Sequence, residues 1–120
     1  MGKSVIISSR SDRFISGHCA RMIKEQECFP SDILNIGVEP EMASIGIKKM
    51  AELKKWSITR PYKGKCKIAI IEKAHLLTTE AQNSILKLLE EPNSGTYIIL
   101  TTNNYQSLLP TIQSRCQLLI

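Results

Sequence analysis

No stretch of the sequence approaches the roughly 20 consecutive apolar residues that a membrane-spanning helix needs. The N-terminus offers only Val5-Ile6-Ile7, too short for a signal-peptide core. The expectation is a cytoplasmic protein with no membrane contact. The four cysteines, Cys19, Cys28, Cys66 and Cys116, stand far apart with no Cys-x-x-Cys pair. That spacing argues against a zinc ribbon or a disulfide framework and for reduced, buried thiols, and no metal site is expected. Repeats, low-complexity tracts and Pro/Gly-rich linkers are also missing, and 42% apolar with 22% charged residues is an ordinary globular composition. Residues 1–120 are therefore expected to form one domain around a single core.

Positive charge, by contrast, is plentiful and uneven. The formal net charge is +5, and between Lys48 and Lys67 eight cations face the single acid Glu52. Such a patch can follow a phosphate backbone, with Lys48, Lys49, Lys54 and Lys55 as candidate DNA contacts. It is equally the composition of a solvated helix face and loop.

Apolar runs alternate with helical patterns. Ser4 to Ser8 predicts a strand, followed by a polar loop and a helix reaching Gln26. Asp32 to Val38 predicts a second strand, and Ser44 is placed to cap a helix that turns Ile47, Met50, Ala51 and Trp56 inward. Lys67 to Ile71 is apolar enough for a strand covered on both faces. One helix is expected next, with Thr79 and Gln82 as a capping box, Ala81, Ile85, Leu88 and Leu89 on one face, and Pro92 as its stop. Tyr97 to Thr101 and Gln117 to Ile120 predict two more strands, with a turn of helix from Tyr105 to Leu109. The alternation implies a three-layer α/β/α fold around a five-stranded parallel sheet, with function sought beyond the carboxyl ends of the strands.

A nucleotide-binding domain of this class would place G-x-x-x-x-G-K-[ST] after the first strand. Ser9 to Ser16 contains no glycine or lysine; the next of each after it are Gly17 and Lys24. The phosphate loop is degenerate, leaving Arg10 and Arg13 as candidate anion contacts or ordinary surface arginines. Gly2-Lys3-Ser4 looks like the end of that motif but is read as lying ahead of the first strand. After the third strand a hydrolytic site needs an acid for magnesium and a second for the attacking water. This chain has Glu72-Lys73, and a protonated lysine cannot accept that proton. His75 and His18 lack a partnering nucleophile and are read as solvent-facing or capping residues.

From Lys67 onward the sequence resembles the clamp-loader branch of the AAA+ ATPases, in particular the delta-prime and gamma/tau subunit family of bacterial DNA polymerase III. The stretches that carry the likeness are KIAIIEKAHLL (67–77), TTEAQNSILKLLEEP (78–92), YIILTTNN (97–104) and LLPTIQSRC (108–116). The resemblance implies a P-loop NTPase type of sheet, sensor-like Asn103 and Asn104, and an arginine finger at Arg115, within Ser114-Arg115-Cys116, that reaches a neighbour's ATP. It also implies other AAA+ subunits as partners. A degenerate phosphate loop beside a retained Ser-Arg-Cys is similar to the delta-prime pattern: no ATP or magnesium bound, no hydrolysis in cis, an arginine lent in trans. The four-cysteine zinc module, helical lid and collar of that family are absent, so a minimal core is expected. Two other readings stand beside this one: a weak ATP switch using Arg10, Glu72 and Asn103, and a regulatory paralogue that blocks assembly.

Overall fold

The computed structural model describes residues 2–62 and 64–120; Lys63 of the basic stretch lies outside the described residues. The β-branched runs form β1 (Lys3–Ser8), β2 (Ile33–Ile36), β3 (Lys67–Ile71), β4 (Thr96–Thr102) and β5 (Gln117–Leu119). They pair in parallel in the order β2-β3-β4-β1-β5. The register sets Lys3 opposite Tyr97, Val5 opposite Gln117, Ile33 opposite Ile68 and Lys67 opposite Thr96. Because parallel strands need long crossovers, the connections are helical, and the sheet acquires a carboxyl end and an amino end with different loops.

The helices are α1 (Asp12–Glu25), α2 (Ile47–Ser57), α3 (Thr79–Ser84), α4 (Leu86–Glu90) and α5 (Pro110–Gln113). Alternation along the strands divides the core into two layers. Ile6, Ile71, Ile98 and Leu100 face Met50, Leu53, Ala81, Ile85, Leu89 and Ile112 of the later helices. Val5, Ile7, Ile68, Ile70 and Ile99 face α1, whose Phe14, Ile15, Met22 and Ile23 are only partly buried. The three-layer arrangement is the expected one. All four cysteines are free, with Cys28 and Cys66 buried and Cys19 and Cys116 half-buried. Among the described residues no helix is long and apolar enough to cross a membrane.

Several local expectations need correction. The helix after β3 is two helices, because buried Ile85 leaves helical backbone (φ −106°, ψ 5°) and its amide bonds Gln82 O at 3.3 Å. Its cap is Thr78, which accepts from Ala81 N at 3.0 Å. Gln82 is buried and does not serve a capping box: its amide donates to Leu77 O and accepts from Leu109 N. Nor does Ser44 cap α2. Ile45 pairs with Leu77 in an isolated parallel bridge, so the extended chain runs past Ser44 and Gly46 takes the cap position. As a result Ile47 and Ala51 face outward while Met50 and Leu53 are buried. Asp32 sits in a 3-10 turn ahead of β2, and Lys3 and Ser4 lie inside β1. The 3-10 turn Tyr105–Ser107 is followed by α5, where Pro110 occupies the first turn, a position that needs no amide donor.

Candidate functional site

Beyond the carboxyl ends of β1, β3 and β4 lies a cleft of about 790 Å³ lined by Arg10, Asp12, Glu72, Lys73, His75 and Asn103 among others. It stands where a phosphate would meet the N-terminus of α1, the position at which free amides attract anions. Here the chain occupies its own amides: Ser11 Oγ accepts from Phe14 N at 3.2 Å, and Ser9 Oγ accepts from Ser11 N at 3.0 Å. Asp12 adds negative charge to that first turn.

Glu72 and Lys73 reach the same cleft but diverge. The Glu72 carboxylate lies over Gly37, where a Cβ would stand 3.6 Å from Oε2, and its amide donates to Ile36 O at 2.8 Å. Lys73 is held in the left-handed region at φ 52°, ψ 53°, an uncommon conformation for a side-chain-bearing residue. His75 is not the solvent-facing or capping residue expected. It is half-buried, and its Nδ1 lies 2.9 Å from Thr102 Oγ1. Asn104 caps the turn after β4 by accepting from Gln106 N at 3.1 Å. Asn103 is exposed in the cleft, and Arg13 is exposed and does not line it. His18 packs against Phe14, with ring centroids 4.5 Å apart. Among the described residues no cluster of three or more His, Cys, Asp or Glu could hold a metal ion.

Arg115 lies ahead of β5, and therefore at the amino end of the sheet. The segment before it is tightly wound: Ile112 is fully buried, Arg115 N donates to Ile112 O at 3.1 Å, and Ser114 Oγ donates to Thr111 O at 3.1 Å. Cys116 packs against the larger core cluster, and burial pushes its thiol up to about 12. The guanidinium donates from Nη1 to Thr111 O at 3.0 Å, and its Nε lies 3.5 Å from Glu90 Oε2. In the sequence Glu90 stands out only as part of the 78–92 stretch. The available signal was electrostatic, since Glu90 and Glu91 end a helix where its dipole disfavours acids.

Also at the amino end, the loop between α2 and β3 is shaped by buried polar groups. Asp32 is 3% exposed, and its carboxylate accepts from Tyr62 N and Gly64 N. Lys67 is no surface charge, as the basic count assumed. It is buried with its ammonium 4.0 Å over the Trp56 ring, donating to Trp56 O, Thr59 O and Thr59 Oγ1. Burial lowers its pKa, with Asp32 opposing. Lys49 is engaged as well, 2.9 Å from Glu39 and 3.7 Å from Glu52. Lys48, Lys54 and Lys55 remain exposed.

Comparison with known proteins places this arrangement. The family model described as "DNA polymerase III, delta subunit" matches residues 1–120. The chain is 31% identical over 102 residues to DNA polymerase III subunit delta' of Escherichia coli K12, covering 85% of this chain and 30% of that protein. The Bacillus subtilis 168 subunit delta' is 53% identical over 53 residues, 44% of this chain and 16% of that protein. The chain thus spans less than a third of these curated relatives. The crystal structure of a gamma subunit-related protein from Thermotoga maritima superposes with a TM-score of 0.87 at 30% identity, over 98% of this chain and 40% of that one. With its strand order and helix layers of the AAA+ type, the chain belongs to the DNA polymerase III delta-subunit family of clamp-loader proteins.

Proposed function

We propose that the chain acts in DNA replication as a non-catalytic clamp-loader-type subunit. It docks to partner AAA+ subunits and offers Arg115 in trans to a neighbour's bound nucleotide. The observation that carries this reading is the contrast between a self-occupied phosphate position and an anchored arginine. Ser9 and Ser11 engage two amides at the start of α1, those of Ser11 and Phe14, where a phosphate would bind. Asp12 repels its charge, and Lys73 stands where a general base would act. These residues do not fit magnesium-ATP, and no catalytic step is assigned to the cleft. Arg115 is permanently charged, and its planar fork matches phosphate oxygens. Its segment also retains the Leu-Leu-Pro-Thr-Ile-Gln-Ser-Arg-Cys pattern of the clamp-loader resemblance. DNA contact, if it forms part of this role, falls to Lys48, Lys54 and Lys55.

The test combines two measurements. Calorimetric titration of magnesium-ATP into the chain is expected to give no binding heat. In an assembly reconstituted with the partner ATPase subunit, Arg115→Ala is expected to lower turnover at the adjoining site by about 10³-fold. Micromolar ATP binding, with turnover abolished by Glu72→Ala in this chain, would instead establish an ATP switch. The size of the cleft and its Arg10, Glu72 and Asn103 lining favour that second reading.

A further inference from the structure

We infer that Glu90 is the positioning residue for Arg115, fixing the plane of its guanidinium before a partner arrives. The inference rests on the finger role proposed for Arg115 and adds a residue to that site. The Nε atom of Arg115 is shut off from water and has no hydrogen-bond partner among the described residues. The acid it faces is Glu90, with Oε2 at 3.5 Å. A shielded donor on a charged group is unfavourable unless an acceptor offsets it, so the carboxylate compensates this edge of the guanidinium. The opposite nitrogen, Nη1, is tied to Thr111 O at 3.0 Å.

One hydrogen-bonded nitrogen and a carboxylate facing a second restrict the orientation of a planar group. Nη1 is hydrogen-bonded to the chain's own Thr111 and Nε faces Glu90 as an ion pair, which leaves Nη2 without a described contact. The side chain is 30% exposed. Most of the arginine is thus ordered against its own subunit while one corner of the fork stays available to an anion from outside. A freely rotating arginine would have to lose its rotamer freedom on docking; one held by Glu90 has already lost it.

Glu90 is itself anchored. It closes α4, whose Leu89 is 1% exposed, and Leu89 O accepts from Ser4 Oγ of β1 at 2.8 Å. The backbone that carries Glu90 is therefore referenced to the centre of the sheet, although its side chain is 60% exposed, so the effect is sought in the orientation of Arg115 and not in the small energy of a surface ion pair.

The experiment uses the full-length chain reconstituted with the partner ATPase subunit of its own organism. It compares Arg115→Ala, Glu90→Ala and Glu90→Gln by steady-state ATP turnover and by co-elution of the assembly. Glu90→Ala is expected to lower kcat by about 10- to 100-fold, the usual effect of removing an orienting partner, with KM for ATP changed less than about twofold and co-elution intact. Glu90→Gln keeps an acceptor for Nε and is expected to recover most of the loss. Wild-type kcat in Glu90→Ala, with turnover lost in Arg115→Ala, would overturn the positioning role alone. A loss in Glu90→Ala that tracks with failed co-elution would overturn it too, as a purely structural effect. Unchanged turnover in Arg115→Ala would remove the finger role and this inference together.

Discussion

At the carboxyl end of the sheet the side-chain hydrogen bonds of the loop between β1 and α1 are made between near neighbours in sequence, Ser9 with Ser11 and Ser11 with Phe14, while the loop after β4 mixes near pairs with the long-range ties of Ser8 to Tyr105 and Thr102 to His75. At the amino end they join distant segments: Ser4 with Leu89, Asp32 with Tyr62 and Gly64, Ser57 with Asn93, Glu90 with Arg115. A loop closed on itself can exchange its residues without disturbing anything else. A loop that ties two distant segments cannot. On the proposed role, the difference would let the loop between β1 and α1 vary while Arg115 is kept in place on the opposite side of the sheet.

Substitutions at the amino end are accordingly expected to be the costly ones. Asp32→Ala removes the acceptor for the part-buried amides of Tyr62 and Gly64 and empties a buried carboxylate site, and a buried amide left without a partner costs about 1–3 kcal/mol. A loss of roughly 3 kcal/mol is expected, read as a lower urea midpoint with an unchanged slope. Gly95→Ala follows. Gly95 has φ 78°, and an added Cβ would stand 2.5 Å from Lys65 O, so backbone strain and displacement together should remove roughly 2 kcal/mol. A loss below about 0.5 kcal/mol in either variant would mean that the long-range ties do not govern stability and would erase the contrast.

The carboxyl end should respond less. Ser11→Ala deletes the side-chain cap of α1 and is expected to remove about 1 kcal/mol. Because α1 has no fully buried residue, its fraying should leave the sheet cooperative, and hydrogen exchange should quicken in residues 12–16 first. Equal acceleration throughout β1 and β4 would show instead that the two ends are coupled.

What could be read in the sequence divides along the same line. All five strands and the layer order follow from periodicity, because a parallel strand announces itself within five or six residues. The Leu108 to Cys116 segment was legible through its resemblance to a family pattern. Lys67 was counted as surface charge, since the acceptors that bury it, Thr59 O and Trp56 O, come from a loop whose path composition does not reveal. Gln82 looked like half of a capping box because Thr79 lies three residues away; its true partners, Leu77 and Leu109, include one 27 residues on. Glu90 has no reading of its own in the sequence, because its contact, Arg115, lies 25 residues on. Near-neighbour chemistry is written in spacing, whereas pairings across the sheet depend on a register that no local pattern encodes.

The smallest expected effect bears most directly on whether the carboxyl end still serves a ligand. Lys73 holds left-handed backbone, which costs an L-residue roughly 1–2 kcal/mol, and it does so at the head of the 3-10 turn Ala74–Leu76, where its carbonyl accepts from Leu76 N at 2.8 Å. Glycine adopts that conformation freely, though its extra freedom in the unfolded chain offsets about 0.5–1 kcal/mol of the relief. Lys73→Gly is therefore expected to raise stability by about 0.5 kcal/mol, measured as a higher urea midpoint, with turnover of a reconstituted partner unchanged. If the cleft does no chemistry, as proposed, relieving this strain in the loop path between β3 and α3 should be neutral to function. If Lys73→Gly lowers turnover while raising stability, the ammonium is engaged in the cleft, and the carboxyl end has a role of its own.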